Sequence, residues 1–278
     1  MRLRSLLFVP GDRPERFAKA AGSGADAIIL DLEDSVAPER KSVARDAVAD
    51  YLQAPRETLV LVRINPVDMP LAQDDLDAVL LHEPDGIMLP KAEGAGSVRQ
   101  LTGREWKRDV PVLPIATETP AAIFELGTFR EVAPHLLGLT WGAEDLPAAI
   151  GASTSREVDG SYTPPYEMAR SLALFAAHAA GVPAIETVYP DFRDEAGLAV
   201  YAARGRRDGF SGMMAIHPAQ VSIINAAFQP TEEELADARA IVDAFAREPQ
   251  AGALSINGRM VDRPHLLQAR RLIERSPV

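Results

Sequence analysis

The stretch "AIILDLEDSVAP", Ala27 to Pro38, begins as an apolar run and ends with Asp31, Glu33 and Asp34, three carboxylates inside four positions. Charged residues follow other apolar runs in the same way: Arg63 in "RINP", Lys91 in "LPK", Glu118 in "ATETP", Glu144 and Asp145 in "WGAEDL". Two further runs lead into Glu186 and His217. Carboxylates gathered without countercharge repel one another and shift their protonation, and a divalent cation relieves that repulsion. The chain has no cysteine and only five histidines. Thiolate sites, disulfides and a cysteine nucleophile are therefore excluded, and the oxygen-rich donor set suits Mg²⁺ best, with Mn²⁺ as a substitute. The arginine and lysine add a place for an anion.

These residues need a scaffold that brings them together. Eight short, nearly continuous apolar runs precede residue 218: "SLLFV", "AIILDL", "LVLVRI", "GIMLP", "VPVLPIA", "LLGLTW", "AIETV" and "GMMAI". Such runs are expected of parallel strands buried on both faces. Helical spacing between them predicts helices over 13–21, 40–53, 72–80, 97–107, 165–180, 192–206 and 218–227. Eight strand–helix units predict an α/β fold, a (β/α)₈ TIM barrel; an open doubly wound sheet is the alternative, but its glycine-rich phosphate fingerprint is missing after the first strand. In a barrel the residues just past each strand share one rim, so the charged positions above converge on an anion- and metal-binding site. Each also has a plainer reading. Asp145 is equally compatible with capping a helix, Lys91 with a surface lysine, Arg63 with pairing a nearby carboxylate, and His217 with a loop before Pro218.

After Pro230, "TEEELADARAIVDAFARE" reads as a capped amphipathic helix with Thr231 and Glu234 in a capping box, followed by a loop or short hairpin and a last helix. The expected organisation is a barrel over 1–229 and a C-terminal extension over 230–278. With 278 residues, 47% hydrophobic and 25% charged, the chain can bury a sizeable core. A net charge of −11 argues against general nucleic-acid binding. No apolar run is long enough for a membrane span and "SLLFV" is too short for a secretory signal, so a cytoplasmic location is expected.

The segments "LFVPGDRPERFAKA", "DAIILDLEDSVAPERKSVAR", "RINP", "GIMLPKAE", "TETP", "WGAEDL", "AIHPAQV" and "GRMVDRPHLLQA" occur in order from Leu6 to about Ala269. Together they resemble the citrate lyase β subunit family, whose relatives include malyl-CoA and citramalyl-CoA lyases. The resemblance implies a modified TIM barrel, usually a homotrimer, that binds Mg²⁺ and makes or breaks a carbon–carbon bond beside a thioester carbonyl. Carried over by motif, the metal ligands fall on Glu118 and Asp145 and the substrate-binding arginine on Arg63. The same resemblance suggests that Glu33 and Asp34 hold Arg63 and metal-bound water, and that Asp262 reaches a neighbouring subunit's site as acid/base. From local sequence alone, Asp262 reads equally as the N-cap of the last helix.

The implied partner is a small acyl thioester on CoA or on an acyl carrier protein. Its expected contacts are Arg63, Glu118, Lys91, Arg13 and Lys19. Arg2, Arg4, Arg13, Arg16 and Lys19 lie near the first strand's ends, with Arg13, Arg16 and Lys19 spaced to share a helix face toward a phosphate. Each is also readable as part of a solvated face. Trp141 is expected to wall the pocket and Trp106 to pack under a helix.

Overall fold

A computed structural model describes residues 2–103 and 109–274, and it divides into two compact units at Ala226/Ala227. The sequence places this boundary at 229/230. Strands and helices alternate along the first unit: β1 Ser5–Pro10, α1 Phe17–Ala21, β2 Ala27–Asp31, α2 Lys41–Leu52, β3 Leu59–Arg63, α3 Pro70–Val79, β4 Gly86–Leu89, α4 Gly94–Thr102 and β5 Val112–Pro114. There follow α5 Pro120–Glu125, β6 Leu139–Thr140, α6 Asp145–Ile150, α7 Pro164–Ala180, β7 Ala184–Glu186, α8 Glu195–Asp208, β8 Gly212–Ala215 and α9 Pro218–Ala227.

All eight predicted strands are present in one parallel sheet, in the order β5-β4-β3-β2-β1-β8-β7-β6. Its two ends meet through parallel bridges Val112↔Leu136 and Ile115↔Thr140, with the Ala116 N–H donating to the Thr140 carbonyl at 2.9 Å. The result is a nearly closed barrel of TIM type. Every residue of β2 is buried, which is why its sequence is apolar without alternation. Leu6, Ile29, Leu61, Met88, Leu113, Ile185 and Met214 fill the interior as one cluster. Register sets Asp31 beside Arg63 and Arg63 beside Met88, so the strands release their polar residues at a common level.

Helix boundaries follow local chemistry. Proline at the first turn starts α3 and α7, and Gly181 and Gly209 end α7 and α8 in left-handed conformations. Asp194 caps α8 by accepting from the Gly197 N–H, so that helix begins at Glu195 rather than at the predicted 192. The helix predicted over 13–21 is a correction. Pro14–Arg16 form a 3₁₀ turn, α1 follows with only five residues, and Arg13 stands outside both. The helix predicted over 97–107 begins earlier, at Gly94, and its described part ends at Thr102; Trp106 lies outside the described residues.

The second unit holds α10 Glu232–Arg247, the antiparallel pair β9 Ala253–Ile256 and β10 Arg259–Asp262, and α11 Arg263–Glu274. The predicted capping box is present: the Glu234 N–H donates to Thr231 Oγ1 and the Thr231 N–H to Glu234 Oε2. Asn257 and Gly258 both have positive φ, the two-residue turn that Asn-Gly favours. Phe245, Val261 and Leu266 form this unit's core. Among the described residues no helix is long and apolar enough to cross a membrane.

Candidate active site

Arg63, the last residue of β3, is fixed from two sides. Its Nε and Nη2 donate to the two oxygens of Asp31 at 2.7 and 2.6 Å, a two-pronged pairing, and Nη1 lies 3.0 Å from Glu33 Oε2. The guanidinium also covers the Phe8 ring at 4.9 Å. Burial disfavours the Asp31 carboxylate, but the hydrogen bonds and charge of Arg63 outweigh it and hold the carboxyl below its usual range. Burial likewise opposes the Arg63 charge and the Asp31 carboxylate more than restores it, so the guanidinium stays charged. A guanidinium has five N–H donors and Asp31 uses two. The rest are left for Glu33 and a ligand.

Lys91 lies at the centre of the acidic residues. It is left-handed, with φ of 50°, a conformation costing a residue with a Cβ roughly 1 to 2 kcal/mol. The turn aims its two ends at different carboxylates: the backbone N–H donates to Glu118 Oε2 at 2.6 Å, while Nζ donates to Glu33 Oε1 at 2.6 Å. Nζ is also 3.4 Å from Asp145 and 3.6 Å from Asp34. Glu118 is 4% exposed and accepts that single described hydrogen bond. Burial, reinforced by the charges of Glu33 and Asp145 against the Lys91 N–H, pushes its carboxyl up to about 8. Burial raises the Glu33 carboxyl as well, against Arg63 and Lys91.

Gly142 makes room for Glu118. A Cβ there would fall 2.9 Å from Glu118 Cγ and 3.1 Å from Oε1, and Thr117 Oγ1 pins the glycine by accepting its N–H and donating to its carbonyl. Beneath β2 and β3, Lys41 spends its three donors on the Leu32 and Glu33 carbonyls and on Asn65 Oδ1, at 2.7, 2.7 and 2.9 Å. Asn65 in turn donates to Asp75, which Arg45 also meets. Lys41, Asn65, Asp75 and Gly142 were not singled out in the sequence. The only signals for Lys41, Asn65 and Gly142 were their places inside "APERK", "RINP" and "WGAED", and Asp75, inside "LAQDDLDAV", had none.

A second acidic group sits where β6 and β7 end. Glu186, fully buried, accepts from Trp141 Nε1 at 2.5 Å, Tyr201 OH at 3.0 Å, the Thr187 N–H at 3.0 Å and Arg170 Nε at 2.8 Å. Trp141 therefore turns into the wall, against Glu186 and the edge of Tyr162, rather than lining the pocket as predicted.

The predicted site residues divide accordingly. Glu33, Asp34, Arg63, Lys91, Glu118 and Asp145 come together, although the partner of Arg63 is chiefly Asp31, and Asp34, 58% exposed, faces Lys91 instead. Asp145 opens α6 but Glu144 occupies the cap position, without a side-chain cap. The basic residues do not form one cluster. Arg4 precedes β1 and is tied to Asp26, whereas Arg13 follows the strand's other end, exposed near Asp12, and Lys19 is exposed on α1. His217 stacks on Phe192 and takes the Ala219 N–H, as a loop residue would. Asp262 lies in the second unit at the N-cap position of α11, paired with His265 Nδ1 at 2.5 Å.

Among the described residues no three or more Asp, Glu or His side chains form a ready-made metal cage. Mg²⁺ needs none. It is commonly held by one or two carboxylates, with water and ligand oxygens completing an octahedron. Glu118, short of hydrogen bonds and countercharge, and Asp145 suit that role.

Residues 4–218 match the family described as HpcH/HpaI aldolase/citrate lyase. The chain belongs to that family. Within it, the chain is 39% identical over 270 residues to a citrate lyase subunit beta-like protein of Mycobacterium tuberculosis, covering 97% of this chain and 94% of that one. It is 32% identical over 292 residues to the mitochondrial citramalyl-CoA lyase of Mus musculus, covering 97% and 85%. Among solved structures, the protein CitE of Mycobacterium tuberculosis in complex with magnesium, acetoacetate and coenzyme A superposes with a TM-score of 0.85 at 38% identity, covering 98% and 97% of the two chains.

Proposed function

We propose that this family member is a Mg²⁺-dependent carbon–carbon lyase that cleaves or forms a β-hydroxy acyl thioester of citryl, citramalyl or malyl type through an enolate. The observation that carries this reading is Arg63. It is a largely enclosed, permanently charged fork with donors to spare, held by Asp31 and Glu33 and close enough to feel the charge of Glu118. Relatives described as a citramalyl-CoA lyase and as a protein bound to magnesium, acetoacetate and coenzyme A support it.

Cleavage moves negative charge onto the thioester oxygen. A cation already oriented there by Asp31 and Glu33 stabilises that charge without reorganising. Glu118 and Asp145 would hold the metal, which supplies Lewis-acid polarisation and orientation of the other fragment's oxygens. Glu33 and Lys41 set the height of the β2 loop, so that the Glu33 carboxylate faces Arg63 and Lys91. Asp262, from a neighbouring copy of a cytoplasmic homotrimer, is the proposed acid/base; Lys91, Arg13 and Lys19 are the proposed contacts to the acyl group and its CoA or carrier-protein phosphates. Mixed oligomers of Asp262→Ala and Glu118→Gln subunits should then regain activity that neither variant has.

The experiment is a panel of citryl, citramalyl and malyl thioesters beside the corresponding free hydroxy acids, each with and without Mg²⁺. Turnover of one thioester that vanishes on chelation is expected. Turnover of free 2-keto or hydroxy acids alone would make the protein a class II aldolase instead, and turnover of nothing would favour a noncatalytic carrier-binding role.

A further inference from the structure

Lys91 is the one described residue that touches Glu33, Asp34, Glu118 and Asp145 together. Its N–H is bonded to Glu118, and its ammonium meets Glu33 at 2.6 Å, Asp145 at 3.4 Å and Asp34 at 3.6 Å. Both proposed metal ligands are thus in contact with one residue, Glu118 through its backbone and Asp145 through its positive end. A divalent ion on Asp145 and the ammonium are like charges competing for one carboxylate, partly exposed itself but next to the buried Glu33 and Glu118. Each weakens the other's hold on Asp145.

The backbone of Lys91 is fixed by its bond to Glu118, but its side chain is 29% exposed and ends in rotatable single bonds, so the ammonium is the part that yields. Displaced from Asp145, it keeps Glu33 within reach and turns its remaining donors toward solvent on the side of Asp34, which is 58% exposed. An anionic ligand entering there draws the ammonium the same way. Ion and anion therefore favour the same position of one side chain, which is a sufficient condition for positive coupling between them.

We propose that Lys91 links the binding of the divalent ion to the binding of the anionic substrate, opposing a bare ion and favouring ion and carboxylate as a pair. The proposal rests on the metal site assigned to Glu118 and Asp145 above, and it adds an order to the events at that site. A bare ion binds weakly, an acyl ligand bearing a carboxylate binds weakly, and each improves the other beyond their direct attraction.

The test is calorimetric titration of Mg²⁺ into wild type and Lys91→Met, alone and with saturating acetoacetate, at pH 9, above the value of about 8 to which the Glu118 carboxyl is pushed in the wild-type chain. Methionine keeps the unbranched stem up to the position of the lysine Cε, without the ammonium, and the backbone N–H that holds Glu118; Lys91→Gln repeats the measurement should methionine unfold the protein. In wild type, acetoacetate should tighten Mg²⁺ binding by roughly 5- to 150-fold, the usual span of coupling between sites. In Lys91→Met the bare ion should bind about tenfold more tightly, and the gain from acetoacetate should shrink at least fivefold. An unchanged gain in the variant, or weaker binding of the bare ion, overturns the role of Lys91 while leaving the metal site standing. If wild type takes up no Mg²⁺ with or without acetoacetate, the metal-site reading fails and this one with it.

Discussion

Glu186, at the end of β7, and Glu118, just past β5, are both carboxylates nearly shut off from solvent, yet their surroundings treat them in opposite ways. Glu186 accepts four hydrogen bonds and has Arg170 against it, itself 3% exposed. Glu118 accepts one, from a backbone N–H, and its carboxyl rises to about 8 because burial and two neighbouring acids outweigh that bond. A buried acid with its partners supplied is part of the wall; one left short of partners is a place for something the chain does not provide. The same barrel end thus carries one buried carboxylate with its partners supplied and one nearly without, and the second is the proposed metal ligand.

The same substitution at both positions should break the symmetry most visibly. Glu186→Gln places an amide among four donors and leaves Arg170 with Asp208 as its one charged partner among the described residues, so a loss of about 3 to 5 kcal/mol in unfolding free energy is expected by denaturant titration. Glu118→Gln removes a charge that the fold already disfavours, and should leave stability equal or higher at pH 8. If both variants lose stability equally, the distinction between the two acids is wrong.

Arg63→Lys sharpens the comparison from the binding side. Lysine keeps the charge but cannot pair both Asp31 oxygens and still present a donor to a thioester oxygen. The expected loss is roughly 10²-fold in turnover of the best thioester, as for removal of one oxyanion donor. A variant with wild-type turnover would make Arg63 a structural partner of Asp31 alone.

A smaller effect follows from the direction of the Glu118 shift. Its carboxyl is raised in the folded protein, so between pH 4.5 and about 8 the folded state holds more proton than the unfolded one. Stability contributed by this group must therefore fall as pH rises through that window. In the presence of a chelator, melting temperature should decline from pH 5 to pH 8 more steeply in wild type than in Glu118→Gln, and added Mg²⁺ should remove the difference. Parallel pH profiles would deny the shift.

Much of this was legible in the sequence because a parallel barrel imposes a strong pattern. Strands buried on both faces must be apolar throughout, and the first charged residue after each marks the rim, which made Arg63, Lys91, Glu118 and Asp145 visible as a group. What the pattern could not supply was which acid meets which base. Asp31 sits within a strand that reads as buried, and only the register beside Arg63 makes it the principal partner. Trp141 looked like a pocket wall because its strand ends there, but one indole N–H and one buried glutamate turn it inward. The first helix failed for a local reason, since Pro14 starts a 3₁₀ turn that separates Arg13 from Lys19. Gly142 was silent because its role is the space it leaves.

The account depends above all on Glu118 being the carboxylate held in reserve for a divalent cation. Titrating Mg²⁺ calorimetrically at pH 7, in two buffers of different ionisation enthalpy, measures affinity and proton release together. A carboxyl raised to about 8 must give up its proton to a metal, so wild type should release roughly one proton per ion bound, and Glu118→Gln should lose both the release and the binding. Mg²⁺ binding of wild-type affinity in Glu118→Gln, or binding by wild type without proton release, would contradict it.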